Sequence, residues 1–511
     1  MSREKIKIDC RKLSRLFQKG LLERLGQIHK GRKGEVYLAG GTVRDLILGR
    51  TPADIDLTVA SGAQDWAGDL ARMTGGAYVL LGREEDAARV VWQGREIDFS
   101  SFREGACSIN EELLKRDITI NSLAVRIDPL FADPACQEAD AFFVVDPAGG
   151  TSDLESRLIR VTSKYSFTSD PLRLLRIFRF ATTLECSIEQ KTIELAARQK
   201  EKISRVAPER VTHELDLIMA SDRAHDVISQ MANMGLLWEI IPELRQGVGM
   251  EQPASHHLDV FEHCLETLLQ MERILQVPAK YFPKHTWVLQ EYLTDNRHRV
   301  QLKWAALLHD VGKPATCGIN EDKGDRITFY NHDLEGADIF TSFARRLRWS
   351  REDTAVVAKL IGGHMRPFHL ANVQRQGKLS VKACLRLIKA ADRELPGLFL
   401  LSMADALAGK GDGRPEQIEE EVVNLFTMVE RVRTERVTPV RSGPPLLTGR
   451  DLIAELSLEP GPVFKEILEA VEEAHMEHKI SSRSEALAFA SQYVRENRSE
   501  TVLVGQKQSH A

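Results

Sequence analysis

The spacing of apolar residues changes character once along this chain, near residue 156, and that change limits the folds open to it. Before it, "EVYLAG", "DIDLTVA", "AYVLL", "RVVWQG", "EIDFSSF" and "NSLAVRI" are short runs that read as strands. After it, "DPLRLLRIFRFATTL", "ERVTHELDLIM" and "AHDVISQMANMGLLWEIIPEL" carry apolar residues at helical spacing. A mixed α/β head followed by all-α sections is the expected architecture. "RQGVGMEQPASHH" reads as a joint and "AGKGDGRP" as a break, and "TPVRSGPPLLTGRD" interrupts the last helical stretch. The expected parts are a head over 1–155, a helical neck over 156–250, a histidine-bearing block over 251–412 and a helical tail over 413–511. A chain of 511 residues is too long for one core, which fits such a division.

Within the head, "YLAGGTVRDLILGRTPADIDL" (37–57) runs a strand into Gly40-Gly41, then a helix-like run, then a strand with Asp54 and Asp56. Glycines at a strand-to-helix turn let backbone N–H groups approach a phosphate, and the helix N-terminus favours the anion. Arg44 falls in the first turn, aimed the same way. The glycines alone are explained as well by a plain tight turn. Asp54 and Asp56 project to one face of a strand, while Ile55 and Leu57 go to the other. Paired carboxylates repel unless a cation lies between them. Their oxygens suit Mg²⁺, which takes one or two carboxylates plus substrate phosphates. Asp98, in "REIDFSSF", has the same setting and becomes a third ligand if its strand lies alongside. An arbitrary Asp-x-Asp is more often a solvated strand edge. Here the phosphate turn and the carboxylate pair belong to one chemistry, nucleotidyl transfer, in which metals clamp the attacking and leaving oxygens. In "KRDITINSLAV", Arg116 offers a cation to a triphosphate and Asp117 a carboxylate to ribose hydroxyls. As an isolated pair they read equally as a charged cap.

"GGTVRDLILGRTPADIDL" with "KRDITINSLA" resembles the class II tRNA nucleotidyltransferases and the related bacterial poly(A) polymerases, which extend RNA 3′ ends without a nucleic-acid template. The resemblance continues in order through "VVDPAGGTSDLESRLIRV", "SDPLRLLRIFRFA" and "ISRVAPERVTHEL". It implies a nucleotidyltransferase-fold head, a small mixed sheet with helices. It implies that Asp54 and Asp56 hold the catalytic Mg²⁺, that Gly40, Gly41, Arg44 and Asp45 surround the triphosphate, and that Arg116 and Asp117 bind phosphate and ribose. The implied partners are CTP and/or ATP and the 3′ end of tRNA or another RNA.

In the neck, Asp170 and Arg173 are three apart and share a helix face. Asp accepts from an exocyclic amino group and Arg donates to a ring acceptor. Cytosine and adenine both pair an amino group with a ring acceptor, so one Asp/Arg pair accepts C and A and rejects G and U. The family uses the matching pair in this way; a surface ion pair is the plain alternative. Arg157, Arg160, Lys164, Arg173, Arg176 and Arg179 crowd the neck with few acids among them; the two readings are a lining for a phosphate-binding groove and plain solvated charges. Two departures bear on the product. Ser169 stands where the family usually has a Glu that positions the arginine. The segment "REGACSINEELLK" (103–115) is shorter than in many members that add a full CCA, and is similar to that of members adding only two cytidines.

The third part supplies His263 in "VFEHCLETL", His309-Asp310 in "WAALLHDVGKPAT", His332 in "FYNHDLEGAD", His364 in "LIGGHMRPFH" and Asp405 in "LSMADALAG". A single histidine in an apolar helix is usually a satisfied core residue. Several in one block, with carboxylates, suit a divalent metal. The pattern resembles the HD phosphohydrolase domain. The resemblance implies His263, His309, Asp310 and Asp405 as ligands, His332 and His364 as the additional histidines of fuller versions, and Lys313 near a bound phosphate. Metal-activated water would hydrolyse a phosphoester there. The tail, "PPLLTGRDLIAELSLEPGPVFKEILEAVEEAHMEHKISSRSEALAF", resembles that of HD-bearing members.

Composition excludes several classes. Hydrophobic content of 43% and charged content of 28% fit a soluble globular protein. No apolar run approaches the ~20 residues that span a bilayer, so no membrane partner is expected, and the charged start lacks a signal-peptide core. Seven scattered cysteines with no Cys-x-x-Cys read as reduced thiols in the cytoplasm. A net charge of −5 leaves RNA to a local patch. The expected function is transfer of CMP and/or AMP to tRNA 3′ ends, as CCA addition or a CC- or A-adding version, with an added phosphohydrolase centre. The alternatives are a poly(A) polymerase and, in another class, an HD phosphohydrolase with an RNA-binding head. The intact Asp54/Asp56 pair argues against the phosphohydrolase with an RNA-binding head, and equally against a non-catalytic RNA-binding protein.

Overall fold

The alternating runs of the head become an eight-stranded sheet. In the computed structural model, which describes residues 6–17, 20–131, 141–321 and 326–507, the strands are β1 (Lys7–Asp9), β2 (Val36–Ala39), β3 (Ile55–Val59), β4 (Ala77–Gly82), β5 (Ala87–Trp92), β6 (Arg95–Ser101), β7 (Ala124–Arg126) and β8 (Ala141–Val145). In space they run β1-β8-β7-β2-β3-β6-β5-β4. Neighbours are antiparallel except β3 and β6, which are parallel. Six strands fall on the alternating runs; β1 and β8 were not expected. Alternation sends Ile55, Leu57, Val59, Ile97 and Phe99 into one core with Trp66 and Leu70 of the Ala63–Thr74 helix. The same alternation turns the even-numbered residues of β3 and β6 to the opposite face.

The chain divides into two compact units, Met1–Pro242 and Glu243–Ala511. In the first, the Arg173–Thr183 helix buries Leu174, Leu175, Ile177 and Phe178 and packs on the Pro208–Ala220 helix. In the second, the Leu395–Ala408 helix is apolar on every side and almost wholly buried. It is the centre of its unit, touching the Val260–Gln276, Asn296–Leu308, Arg351–Gly363 and Ile418–Val432 helices. The "AGKGDGRP" break lies between Ala408 and Ile418. The expected interruption at 438–451 is shorter than the sequence suggests, because Thr438–Ser442 is helical and continues from a π-helical turn at Arg433–Val437. A separate core of Leu447, Leu452, Ile467, Val471, Ile480, Ala486 and Ala490 closes the C-terminal part.

No described helix is long and apolar enough to cross a membrane. Cys107, Cys186, Cys264, Cys317 and Cys384 are free thiols. Cys10 is disulfide-bonded, against the expectation of reduced thiols throughout.

Candidate active sites

The first site sits on the sheet face away from the core. Parallel pairing of β3 and β6 sets Asp56 directly opposite Asp98. Asp54 lies one residue before β3, at its entrance. The Thr42 hydroxyl accepts from the Asp56 backbone N–H at 2.9 Å and lies 3.2 Å from Asp56 Oδ2. Burial, followed by repulsion from Glu96 and Asp98 against the pull of Arg89, raises the Asp54 pKa; burial also raises that of Asp56 despite Arg116. Asp54 has no hydrogen bond to its carboxylate among the described residues. Asp54, Asp56 and Asp98 supply three carboxylates, two of them resisting ionisation, of the chemistry that suits Mg²⁺, but among the described residues their oxygens do not gather within 4.8 Å of one another. Asp98 is more committed than the sequence implied, since Arg89 on β5 grips it at 2.7 and 2.9 Å.

Gly40 adopts φ +71° and ψ −137°, a conformation open only to glycine. A Cβ there would lie 2.6 Å from Arg116 Nη1 and 3.3 Å from Asp56 Oδ2. The turn, Arg116 and Asp56 therefore meet at one point, and the Gly41–Ile47 helix follows. Arg116 is buried, donates to Thr58 Oγ1 at 3.1 Å, and stands 3.5 Å from the fully buried Glu112. Glu112 Oε1 and Arg116 Nε both lack a hydrogen-bond partner.

Other residues are placed differently from expectation. Arg44 is buried rather than aimed outward. It donates to Asn121 Oδ1 at 2.7 Å and pairs with Asp45 at 2.8 Å, because the helix places its stem against the interior. Asp117 is held by Arg176 at 2.6 Å and by the Ile118 N–H. The neck arginines are not short of acids: the buried Glu214 of the Pro208–Ala220 helix takes Arg179 at 2.6 Å and Arg176 at 3.8 Å, and both guanidinium groups lie over Phe180. Asp170 and Arg173 do not share a helix face. Asp170 is extended, with Pro171 after it; it accepts from the Leu172 N–H at 3.2 Å and pairs with Arg210 at 3.3 Å. Arg173 opens the next helix and donates to the Lys115 carbonyl at 2.9 Å. The 103–115 segment is not a plain loop: Ile109–Leu114 is helical, capped by Ser108, and Glu112 Oε2 accepts from the Arg103 N–H at 2.7 Å.

The second site lies within Glu243–Ala511. His263 comes from the Val260–Gln276 helix, His309-Asp310 from the end of Asn296–Leu308, and His332 from the start of His332–Arg346. His364 follows Arg351–Gly363, and Asp405 lies on Leu395–Ala408. All six are buried. His309, His332 and His364 set Nδ1 against the carbonyls of Ala306, Phe329 and Ile361 at 3.0, 2.7 and 2.7 Å. Donation from Nδ1 leaves each Nε2 lone pair free for a metal. Those atoms converge: His263 Nε2 lies 3.1 Å from Asp405, His309 Nε2 3.1 Å from Asp310, and His332 Nε2 3.3 Å from both Asp310 Oδ1 and His364 Nε2.

His309 Nε2 and Asp310 Oδ2 are buried and face each other at 3.1 Å, with Lys313 Nζ also on Asp310 Oδ2. Ligand atoms of His263, His309 and Asp405, and of His309, Asp310 and His364, lie within 4.8 Å of one another, so the donors fit a divalent metal. Burial would push the Asp310 carboxyl up, but His309 and Lys313 hold it well below the usual range. Burial, with His309 nearby, pushes His364 down to about 4, so it is a neutral imidazole at pH 7. Lys313 bridges Asp310 and Gln252 at 2.5 and 2.6 Å.

Sequence reasoning missed Thr42, Arg89, Glu112, Asn121, Glu214 and Gln252. Thr42 was within reach, as it follows the glycine pair directly. The others are brought in by β5, the Ile109–Leu114 helix, the Thr119–Asn121 turn, the neck and a loop, and carry no local signal.

Comparison with known proteins agrees with this division into two sites. The poly A polymerase head domain model matches residues 36–160, over the first site, and the HD domain model matches 260–396, over most of the second. The model for the RNA- and SrmB-binding site of polymerase A matches 186–247, and tRNA nucleotidyltransferase domain 2 matches 417–490. The fold and the two sites thus define a nucleotidyltransferase joined to an HD domain. The chain is 33% identical to the A-adding tRNA nucleotidyltransferase of Deinococcus radiodurans, over 90% of this chain and 95% of that one. It is 30% identical to the CC-adding tRNA nucleotidyltransferase of Thermus thermophilus, over 89% and 93%. The chain belongs to the class II tRNA nucleotidyltransferase family. Its fold matches that of the Thermotoga maritima CCA-adding enzyme complexed with tRNA, with a TM-score of 0.61, 20% identity and coverage of 96% and 100%.

Proposed function

We propose that this enzyme transfers CMP and/or AMP from CTP or ATP to the 3′ end of tRNA, and that its second centre hydrolyses phosphoesters at RNA ends. The observation that carries the first part is the meeting of Gly40, Arg116 and Asp56 at one point, with Asp98 in register and Asp54 beside it. The Gly40-Gly41 turn and Arg116 hold the triphosphate. The terminal hydroxyl of the RNA attacks the α-phosphorus and pyrophosphate leaves. Mg²⁺ on Asp54 and Asp56, next to Asp98, would supply charge stabilisation for the attacking and leaving oxygens. Asp170 and Arg173 read the base, with Arg173 aimed by the Lys115 carbonyl. The A-adding and CC-adding relatives align along nearly the whole chain, as does the fold of a CCA-adding enzyme, so partial and full CCA addition are the products the assay distinguishes.

At the second centre, a divalent metal on His263, His309, Asp310 and Asp405, with His332 and His364, would activate water. Lys313 meets the phosphate. Hydrolysis of a cyclic 2′,3′-phosphate adds one water across a P–O bond, hydroxyl to phosphorus and proton to the freed ribose oxygen. Working parts over 1–155, 156–250, 251–412 and 413–511, in the cytoplasm, complete the proposal.

The test uses tRNAs ending before CCA, after C and after CC, each with CTP or ATP. Addition of C alone, A alone, both, or long A tails selects the product. Asp54→Ala with Asp56→Ala is expected to abolish incorporation and spare hydrolysis; surviving incorporation would refute the head assignment. His309→Ala with Asp310→Ala is expected to do the converse.

A further inference from the structure

Glu112 is a charged side chain that no step of the proposed transfer uses, and it is wholly buried. It lies on the Ile109–Leu114 helix, which is anchored next to the glycine turn. Leu113 shares a small core with Tyr37 and Ala39, and Ala39 directly precedes Gly40. Taking a carboxylate out of water is unfavourable unless donors match its oxygens. One oxygen is matched, since Glu112 Oε2 accepts from the Arg103 N–H at 2.7 Å. Oε1 has no hydrogen bond and faces two cations, Arg116 Nε at 3.5 Å and Arg103 Nε at 3.7 Å.

The Arg116 guanidinium is held on three sides. Nη2 donates to Thr58 Oγ1 at 3.1 Å, Nε faces Glu112, and Nη1 points at the Gly40 turn, 2.6 Å from where a Cβ would stand. Burial and Arg103 oppose the charge on Arg116, while Glu112 and then Asp56 favour it. Two carboxylates therefore compete for one guanidinium. Among the described residues the ion pair is made with Glu112, and Asp56 has none. A guanidinium drawn onto Asp56 would leave the turn and neutralise a carboxylate that the transfer needs.

The geometry points to Glu112 as a positioning residue for nucleotidyl transfer. Its carboxylate holds the Arg116 guanidinium off Asp56 and on the Gly40 turn, where it meets the outer phosphates of the nucleotide. The inference rests on the reading of Arg116 as the cation for the triphosphate. The plain alternative is structural, with Glu112 only tying Arg103 to the helix. Glu112→Gln separates the two. Its amide oxygen still accepts from the Arg103 N–H, while the negative charge that faces Arg116 is gone.

Full-length protein with Mg²⁺ is assayed for incorporation of CTP or ATP into tRNAs ending before CCA and after CC. KM for the nucleotide incorporated is measured beside the inhibition constants of its monophosphate and of pyrophosphate. The monophosphate reports on base and sugar, and pyrophosphate on the outer phosphates. Glu112→Gln is expected to raise KM and the pyrophosphate constant about tenfold, the worth of a charge-assisted contact, and to leave the monophosphate constant within about twofold. Arg116→Gln is expected to do the same, and the double variant to be no weaker than Arg116→Gln alone, because the two side chains act as one unit. Equal losses for all three ligands, unchanged constants in Glu112→Gln, or full additivity in the double variant would overturn the inference. If Arg116→Gln itself leaves KM and the pyrophosphate constant unchanged, the reading of Arg116 falls and the inference with it; a loss in Arg116→Gln but not in Glu112→Gln removes the inference alone. Folding of each variant is followed by urea unfolding. Where Glu112→Gln does not fold, Glu112→Asp takes its place, with a carboxylate one methylene short of Arg116. A raised KM with an unchanged monophosphate constant again supports the inference, and any other result overturns it.

Discussion

Gly40 has a conformation and a neighbourhood that both exclude a side chain. Alanine there would sit at φ +71° and press on Arg116 and Asp56. Gly40→Ala is expected to cost about 1–3 kcal/mol in urea unfolding and roughly a hundredfold in nucleotide incorporation, because the reacting groups are displaced. Asp117 makes a second prediction. Burial alone would raise its carboxyl, but Arg176 holds it well below the usual carboxylate range. A depressed native pKa means stability that is present above the unfolded value, about 4, and is lost as pH falls through the native one. Asp117→Asn is expected to cost about 3–5 kcal/mol at pH 7. That gap should hold down to about pH 4 and narrow below it, measured by urea unfolding across pH. The sequence made Arg116 and Asp117 look alike. Only folding shows that Arg116 faces Asp56 while Asp117 is spent on an arginine 59 residues away.

Individual helices set how well each site is held. The Val260–Gln276 helix carries His263 and is capped by Asp259, whose carboxylate accepts from the Glu262 and Gly249 N–H groups, each at 2.7 Å. Asp259→Ala is expected to lower stability by about 1 kcal/mol and to loosen metal retention at the histidine centre, read by metal content after dialysis. Six strands and the long helices were legible because their apolar spacing is local. The shared helix face expected of Asp170 and Arg173 is absent because Pro171 breaks the helical backbone between the two residues. A spacing of three then no longer means a shared face. The Ile109–Leu114 helix was missed because six residues are too short for a periodic signal.

Across the whole molecule, the two candidate metal sites lie in separate compact units. A ligand that binds only the folded state stabilises it by about 2.7 kcal/mol at a hundred times its Kd. Divalent metal added after chelation is therefore expected to raise the thermal midpoint of the Glu243–Ala511 unit, and His309→Ala/Asp310→Asn should remove that rise, followed by calorimetry. The sequence by itself determined the class of fold and the atoms available for chemistry, because alternation, helical spacing and the Asp-x-Asp and His-Asp motifs are short-range. It fixed neither which of those atoms are free to act nor what holds them. Arg44, Asp117, Arg176 and Arg179 have partners supplied by distant segments. The histidine cluster exists only because helices more than a hundred residues apart pack around Leu395–Ala408. Burial and charge neutralisation are properties of the packed chain, and only the tertiary structure decided them.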